Sequence, residues 1–529
     1  MIHQYKRNGY DIVVDVYSGS VHLVDDVAYD IIRLFCEKSR DEIVTAMMEK
    51  YGGSLVDGVP VTEADIAETY EDVLALKKAG KLFSEDIFRP SAGMLKNRHT
   101  EIKALCLHVA HSCDLTCSYC FAGQGRFHGP SALMSAEVGK RAIDFLIENS
   151  GARHNLEVDF FGGEPLLNFD VVKEIVRYAR SIEGKHGKNF RFTLTTNGMG
   201  ITDEVIDFCN AECHNVVLSL DGRPEVHNRE RKTASGKGSY EVIVPKFQKL
   251  VAARTGKPCG PYQPDGSLTA AARADAARQA DPQAPVTPRV KNTNYYMRGT
   301  FTHYNPDFTN DLFHMADLGF TELSMEPVVC DPESRFALTA ADQEILKEQY
   351  ELLAEEMLRR EEAWEAAARQ GVPEAERDPQ DRPLTFYHYL LDLGHGPCIY
   401  KRVSGCGSGT EYFAVTPAGE LYPCHQFVGD PKYRMGDIWQ GITRDEVRDD
   451  FKMCNVYARK ECDDCWARLY CSGGCAANAY HATGSILGVY EYGCELFRTR
   501  MECAIMMQVA RAERAERLAE TEGNQYEDQ

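Results

Sequence analysis

The sequence predicts an α/β protein: a partial (β/α)6 barrel, preceded by a small winged-helix-like module and followed by a cysteine-rich domain. Three observations predict it. From Glu101 onward, apolar runs of strand length alternate with helical patterns, which signals a parallel sheet. Before about Pro90, two short alternating runs are followed by three helical patterns. From Gly396 the chain turns rich in cysteine.

In residues 1–90 the runs Tyr10–Val16 and Ser20–Val24 read as strands separated by a Ser18-Gly19 turn, and helices are expected over Val27–Lys38, Arg40–Tyr51 and Thr62–Ala79. Winged modules often bind DNA. Here 17 acidic residues stand against 10 basic ones, the wrong balance for phosphate contacts. Peptide binding along a strand edge is one alternative, and a structural cap is the other.

Residues 101–395 form the barrel. Strands are expected at Ile102–Val109, Leu156–Phe161, Phe190–Thr195, Asn215–Leu220, Tyr295–Thr302 and Thr321–Val328. Helices are expected near Ser135–Asn149, Val171–Ile182, Asp203–Cys209, Tyr240–Ala253 and Asp311–Leu318. In such folds chemistry gathers at the carboxyl ends of the strands. Residues 255–289, rich in Ala, Pro and Gly, and the polar stretch 370–382, which follows a charged helix over Thr339–Arg369, read as solvated insertions. The cysteine-rich domain spans 396–510. A helix from Glu495 to about Glu522 carries the chain into a charged tail at 511–529.

The composition, 43% hydrophobic and 26% charged over 529 residues, is that of a globular protein of several domains. A formal charge of −21 argues against nucleic acid or an anionic membrane as partner. No apolar run reaches the length of a spanning helix, and Met1–Tyr10 lacks the apolar stretch of a signal peptide, so a cytoplasmic location is expected. The cytosol keeps thiols reduced, so 19 cysteines are better used on metal than in disulfides.

Their spacing supports that use. Cys113, Cys117 and Cys120 follow the first barrel strand at C-x3-C-x2-C spacing. Three thiolates can hold three corners of a four-iron cube and leave one iron open. A zinc site completed by His111 or His128 would use the same residues. The second strand ends in Gly162-Gly163-Glu164, where glycines permit close backbone approach and the carboxylate offers acceptors to an ammonium group. The third and fourth strands end in Thr195-Thr-Asn-Gly198 and Ser219-Leu-Asp-Gly222, small polar groups around one rim. Downstream, Cys462, Cys465, Cys471 and Cys475 show C-x2-C-x5-C-x3-C spacing, flanked by Cys406, Cys424 and Cys494. A double zinc ribbon is the rival there. Cys36, Cys106, Cys209, Cys213, Cys259, Cys330 and Cys503 lack metal spacing and are expected to be buried, inert thiols. Cys454 fits neither group.

C-x3-C-x-aromatic-C with a following Gly-Gly-Glu resembles the radical S-adenosylmethionine superfamily, and the seven later cysteines resemble its SPASM extension. More narrowly, the chain looks like the maturases of SCIFF peptides, cysteine-rich ribosomal precursors. The likeness includes Asp15-Val16 with Ser18-Gly19, Phe160-Phe-Gly-Gly-Glu-Pro165, Asn215-Val-Val-Leu-Ser-Leu-Asp221, Glu322-Leu-Ser-Met-Glu-Pro327, Cys406-Gly-Ser-Gly-Thr410 and Tyr470-Cys-Ser-Gly-Gly-Cys475.

The resemblance implies a leader-peptide recognition domain, a partial TIM barrel and a SPASM iron–sulfur domain, with S-adenosylmethionine and three [4Fe–4S] clusters as cofactors. Cys113, Cys117 and Cys120 would ligate the first cluster. Tyr119, Gly162, Gly163, Glu164, Asn197, Ser219 and Arg231 would surround S-adenosylmethionine. Cys462, Cys465, Cys471 and Cys494 would hold one auxiliary cluster. Cys406, Cys424 and Cys475 would hold the other, with Cys398 as fourth ligand or that iron left open. The implied substrate is a leader-bearing peptide that gains a Cys-to-carbon thioether, the carbon being threonine's by family habit; another SPASM reaction on a peptide (formylglycine formation, C–C cross-linking or epimerisation) is the alternative within catalysis, and a non-catalytic zinc-binding module is the alternative outside it. The implied electron donor is a flavodoxin or ferredoxin.

Overall fold

The computed structural model describes the chain except residues 57–58, 91, 94–99, 258, 261–293, 395–398 and 528–529, with the backbone alone for 400 and 521–527. Its N-terminal sheet is antiparallel, in the order β1 (Ile2–Arg7), β2 (Tyr10–Asp15) and β3 (Val21–Val24). Against it pack α1 (Asp26–Leu34), α2 (Arg40–Tyr51) and α3 (Glu63–Lys78) around Val13, Ile31, Ile43, Ile66 and Val73. Local sequence sets the helix starts: the Asp25 side chain accepts the Ala28 N–H, and Ser39/Glu42 and Thr62/Asp65 form capping boxes.

Strand β1 escapes a reading by periodicity because its burial is long-range. The His3 ring stacks on Trp466 with centroids 4.0 Å apart, the Tyr5 hydroxyl donates to the Glu502 carbonyl at 3.1 Å, and Arg7 pairs with Glu351 and Glu502. Those contacts bolt the N-terminal sheet to the far end of the chain.

The barrel strands are β4 (Ala104–His111), β5 (Asn155–Gly162), β6 (Asn189–Thr196), β7 (Cys213–Ser219), β8 (Tyr295–Phe301) and β9 (Glu322–Pro327), all parallel and adjacent in that order. Between them run α4 (Ala136–Glu148), α5 (Phe169–Glu183), α6 (Asp203–Glu212), α7 (Pro224–Glu230), α8 (Tyr240–Thr255) and α9 (Phe308–Asp317), and α10 (Ala340–Arg369) follows β9. Strand alternation sorts the side chains. Leu156, Val158 and Phe160 are fully buried, as are Phe190, Phe192 and Leu194, while the intervening Glu157, Asp159 and Phe161 line the lumen.

The sheet extends beyond the six expected strands. β10 (Thr385–Phe386) pairs with β9, and β11 (Tyr412–Val415) pairs parallel with β4 in the register Tyr412↔Ala104. From β11 the chain turns back through β12 (Glu420–Tyr422), β13 (Gly436–Asp437) and β14 (Gly441–Ile442). The cysteine-rich region is therefore continuous with the barrel sheet, a pairing about three hundred residues apart in sequence that no local pattern announces.

Residues 370–382 are mostly exposed, as a solvated stretch would be, and are tied to α10 by Arg359, bonded to Asp381 at 2.8 Å, and by Arg377 over the Trp364 ring. The last helix, α13 (Glu491–Glu527), starts a turn earlier than its apolar pattern and takes in Cys494; α11 (Asp445–Lys452) and α12 (Ala476–Thr483) precede it. Cys36 is exposed and Cys330 half-buried, whereas Cys106, Cys209, Cys213, Cys259 and Cys503 are buried. Most of the 255–289 insertion, and Cys398, lie outside the described residues. Among those residues no helix is long and apolar enough to cross a membrane.

Candidate active site

The three-cysteine loop leaves β4 at the carboxyl end of the sheet and is clamped there by glycines. A side-chain carbon at Gly163 would fall on the Ser112 carbonyl oxygen, and one at Gly162 (φ +128°) on that of Ala110; one at Gly125 (φ +85°) would lie 2.7 Å from the Gly163 Cα. The paired glycines thus seat the cysteine loop against β5, so their close approach is to backbone. His111 and His128, the candidates to complete a zinc site, do not share that role: His111 is buried beside His108, with ring nitrogens 3.2 Å apart, and His128 lies at positive φ in the following loop.

Glu164 is buried under the loop. Its carboxylate accepts from the Thr196 hydroxyl at 2.8 Å, the Asn197 N–H at 2.8 Å and the Leu166 N–H at 3.1 Å. A carboxylate has about four acceptor positions, so these bonds leave room for roughly one more donor. Burial pushes the Glu164 carboxyl up to about 7, against the three hydrogen bonds that favour its charged form. Asn197 in turn donates to Asp114 at 2.7 Å and reaches the Cys113 sulfur at 3.6 Å, and the Leu115 N–H reaches that sulfur at 3.5 Å.

The opposite wall is organised by Asp221, a residue absent from the sequence-predicted set. Its carboxylate takes two bonds from Arg231, at 2.8 and 3.0 Å, one from the Tyr119 hydroxyl at 2.6 Å and one from the Thr300 N–H at 3.0 Å. Asp221 is buried; the Arg231 guanidinium, bonded to it, holds its carboxyl below the usual range against the burial that would raise it. Tyr119 and Arg231 are therefore fixed to one another through Asp221, with the guanidinium 5.6 Å from the tyrosine ring centre. The signal was present in Ser219-Leu-Asp-Gly222, but a motif does not say which of its residues turns inward.

One cavity of about 1150 Å³ joins these groups to the cysteine-rich region. Cys113, Cys117, Cys120, Glu164, Asn197, Ser219 and Arg231 line it together with Cys406, Cys424, His425 and Cys475. Arg298 and Glu326 of the barrel strands, and Ser18 and Gly19 of the turn between β2 and β3, belong to the same lining.

The later cysteines separate into two groups. Cys471 lies close enough to Cys462, Cys465 and Cys494 for their ionisation to raise its proton affinity, and Cys424 stands in that relation to Cys475 and Cys406. Cys471 and Cys475, four residues apart, join different groups because Ser472, Gly473 and Gly474 all take positive φ (60°, 83° and 81°) and turn the chain between them.

Among the described residues, no three of His, Cys, Asp and Glu converge to hold a single metal ion. A four-iron cube needs its thiolates spread around a larger body, and the other donors suit one. Burial pushes the Cys113 thiol up to about 12 and that of Cys117 to about 11, so a thiolate at either position needs a bound cation to hold it. Arg468 is buried with its Nε and Nη2 lacking partners among the described residues, and Arg498 reaches the Cys465 sulfur at 3.8 Å. Hydrogen bonds to sulfur are what such clusters use to set their potential.

The Radical SAM superfamily matches residues 107–256. An uncharacterized protein of Methanocaldococcus jannaschii is 30% identical over 138 residues, 26% of this chain and 45% of that protein. Two further relatives are likewise matched over less than half of their lengths, 33% and 38%. A cysteine-type anaerobic sulfatase-maturating enzyme of Clostridium perfringens (strain 13) is 23% identical over 384 residues, 69% of this chain and 86% of that enzyme. The fold resembles the solved structure "Native anSMEcpe with bound AdoMet", with a TM-score of 0.53 and 20% identity over 78% of this chain and 99% of that one. The segment 107–256, which carries the three-cysteine loop, Glu164, Asn197, Asp221 and Arg231, is a radical SAM domain.

Proposed function

We propose that this chain is a radical S-adenosylmethionine maturase of the SPASM kind that joins a cysteine sulfur to a carbon, threonine's in the first instance, within a ribosomally made, cysteine-rich peptide. One observation carries the reading: a single cavity is lined both by Cys113, Cys117 and Cys120 and by Cys406, Cys424 and Cys475.

When bound, S-adenosylmethionine and a [4Fe–4S] cluster on Cys113, Cys117 and Cys120 supply a 5′-deoxyadenosyl radical that removes a hydrogen atom from carbon. The chain's own residues orient that chemistry. Glu164, held by Thr196 and Asn197, keeps one acceptor position for the methionine ammonium. Asp221 fixes Arg231 and Tyr119 on the opposite wall, and Ser219 and Asn197 complete the rim. Forming C–S from C–H and S–H removes two hydrogens. One leaves as a hydrogen atom; the other leaves as a proton and an electron, and the electron needs an acceptor. Clusters on the two later cysteine groups suit that task, with a flavodoxin or ferredoxin as the external donor.

The N-terminal sheet is read as the leader-peptide site. Its β3 is an edge strand among the described residues, with Leu23 46% exposed, and it follows directly on the Ser18-Gly19 turn, which lines the cavity. A peptide added antiparallel to β3 runs toward that turn at its C-terminal end and so delivers the residues after a leader to the cavity.

The test is anaerobic turnover of a cysteine-rich precursor, read by mass spectrometry. The expected product is lighter by two hydrogens and has one cysteine that no longer alkylates. Similarity to a sulfatase-maturating enzyme over 86% of its length favours a second reading, oxidation of a side chain to formylglycine. Such a product carries an aldehyde that reacts with hydrazines, and a cysteine so oxidised has lost its sulfur. Colourless protein holding stoichiometric zinc in place of iron and sulfide would overturn both.

A further inference from the structure

Strands β8 and β9 carry two charged side chains that face the cavity and do not pair with one another. Alternation along β8 turns Met297 and Phe301 to the buried side and puts Arg298 on the lumen face. Arg298 stands opposite Ser219 of β7 on one side and Ser324 of β9 on the other, and Glu326 follows Ser324 by two residues on the same face. Both Arg298 and Glu326 line the cavity. They are held on paired strands next to Ser219, at the rim of the proposed S-adenosylmethionine site.

Arg298 is exposed, and among the described residues no side-chain hydrogen bond or ion pair engages its guanidinium. Arg231, in the same lining, is by contrast taken up at two points by Asp221. Glu326 turns to a different partner: its Oε1 lies 3.2 Å from the His388 Nε2, and its side chain stays 34% exposed. The guanidinium therefore offers N–H donors to whatever enters, and the carboxylate offers the acceptor positions that His388 leaves over. Opposite charges side by side largely cancel at a distance, so the pair favours a dipolar group over a net ion. A main-chain amide is such a group, with a carbonyl for Arg298 and an N–H for Glu326. Apolar surface in the same cavity fits the same occupant. Tyr387, Leu390 and Leu393, which follow β10, are 55%, 65% and 37% exposed and line it, and the Tyr387 ring stacks on Tyr296 of β8 with centroids 5.7 Å apart. Exposed apolar side chains with a few placed polar groups are the makeup of a binding groove.

We propose that Arg298 and Glu326 are positioning residues that clamp the main chain of the substrate peptide beside the modified carbon, Arg298 donating to a carbonyl and Glu326 accepting an N–H, while Tyr387 and Leu390 receive a neighbouring apolar side chain. The proposal rests on the reading of this chain as a peptide maturase and adds the part of its cavity that holds the modified segment itself. The N-terminal sheet takes the leader in that reading, and the clamp fixes the residues that follow it against the cofactor. Because it grips main chain, it leaves the choice of side chain to the apolar wall.

The test uses the full reconstituted chain and the peptide that the wild type modifies, whether the product is a thioether or a formylglycine; a wild type that modifies neither kind of peptide removes the functional reading and the clamp with it. Arg298→Met and Glu326→Leu are each expected to weaken peptide binding about ten- to a hundredfold, the worth of a hydrogen bond to a charged group, with iron content and S-adenosylmethionine affinity at wild-type values. Arg298→Lys, which keeps a donor, is expected to recover part of the loss. Peptides in which the amide N–H of the modified residue or of either neighbour is replaced by an ester oxygen probe the acceptor directly. One of them is expected to bind the wild type more weakly and to lose nothing further against Glu326→Leu, a coupling that a merely structural role for Glu326 does not produce. Weakened S-adenosylmethionine affinity in Arg298→Met would assign that residue to the cofactor and overturn the proposal. So would wild-type peptide affinity in both variants, ester and Glu326→Leu losses that simply add, or a loss in Arg298→Met that neutralising one acidic residue of the peptide reproduces, since the guanidinium then holds a carboxylate.

Discussion

Asp221 and Arg231 face one another in a two-point ion pair, Nε to Oδ2 at 2.8 Å and Nη2 to Oδ1 at 3.0 Å, and the Tyr119 hydroxyl shares Oδ2 at 2.6 Å. The loop that carries two of the three cysteines on either side of Tyr119 is thereby tied to the end of the fourth barrel strand.

Asp221→Asn leaves the buried guanidinium uncompensated. A cost of about 3–5 kcal/mol is expected from removing one partner of a buried pair. Denaturant unfolding under anaerobic conditions measures it, and a parallel binding titration is expected to show weakened S-adenosylmethionine affinity. Wild-type stability in this variant would mean the pair is dispensable.

Gly163→Ala drives a side-chain carbon into the Ser112 carbonyl, a backbone atom that cannot swing aside as a side-chain end would. Overpacking of this kind costs about 1–3 kcal/mol. Here the strain falls on the cysteine loop, so the expected readout is a loss of up to about four irons per chain, with the later cysteine groups still loaded.

The Glu164 carboxyl, pushed from 4.5 to about 7, makes ligand binding depend on pH. Its native value lies above the unfolded one, so its stabilising contribution is complete below 4.5 and is lost as pH rises through about 7. Binding of an ammonium group has the opposite sign because it requires the ionised carboxylate. Affinity for S-adenosylmethionine is therefore expected to fall about tenfold for each pH unit below 7. Calorimetric titration between about pH 6 and 8 checks this, and Glu164→Gln is expected to bind weakly with no such slope.

Leu23→Asp places a charge on the free edge of the N-terminal sheet. If a leader strand covers Leu23, the lost burial of about 1.5 kcal/mol corresponds to roughly tenfold weaker peptide binding. Reductive cleavage of S-adenosylmethionine without peptide is expected to be unchanged. This is a gentler probe than deleting residues 1–90, which would strip β1 from its contacts with Trp466 and Glu502.

Much of the barrel was legible in the sequence because its information is local. Leu156, Val158 and Phe160 alternate with Glu157, Asp159 and Phe161, and that period sorts helix-facing from lumen-facing residues before any tertiary contact is known. Strands β1 and β11 were illegible for the converse reason. Each is short or half-polar and is buried by residues hundreds of positions away, at Trp466 and at Ala104.

The sequence by itself determined the strand-and-helix order, the three-cysteine loop at a strand's carboxyl end, and the ring of Glu164, Asn197 and Ser219 around it, because each is written in spacing along one segment. Only the tertiary structure decided which residues share a site. It brought Asp221 between Tyr119 and Arg231 and divided Cys471 from Cys475 at a turn of three positive-φ residues. It also opened one cavity from Cys113 to Cys424. Those relations depend on sheet pairing and backbone reversal, which place residues near in sequence at different sites and distant ones at the same site.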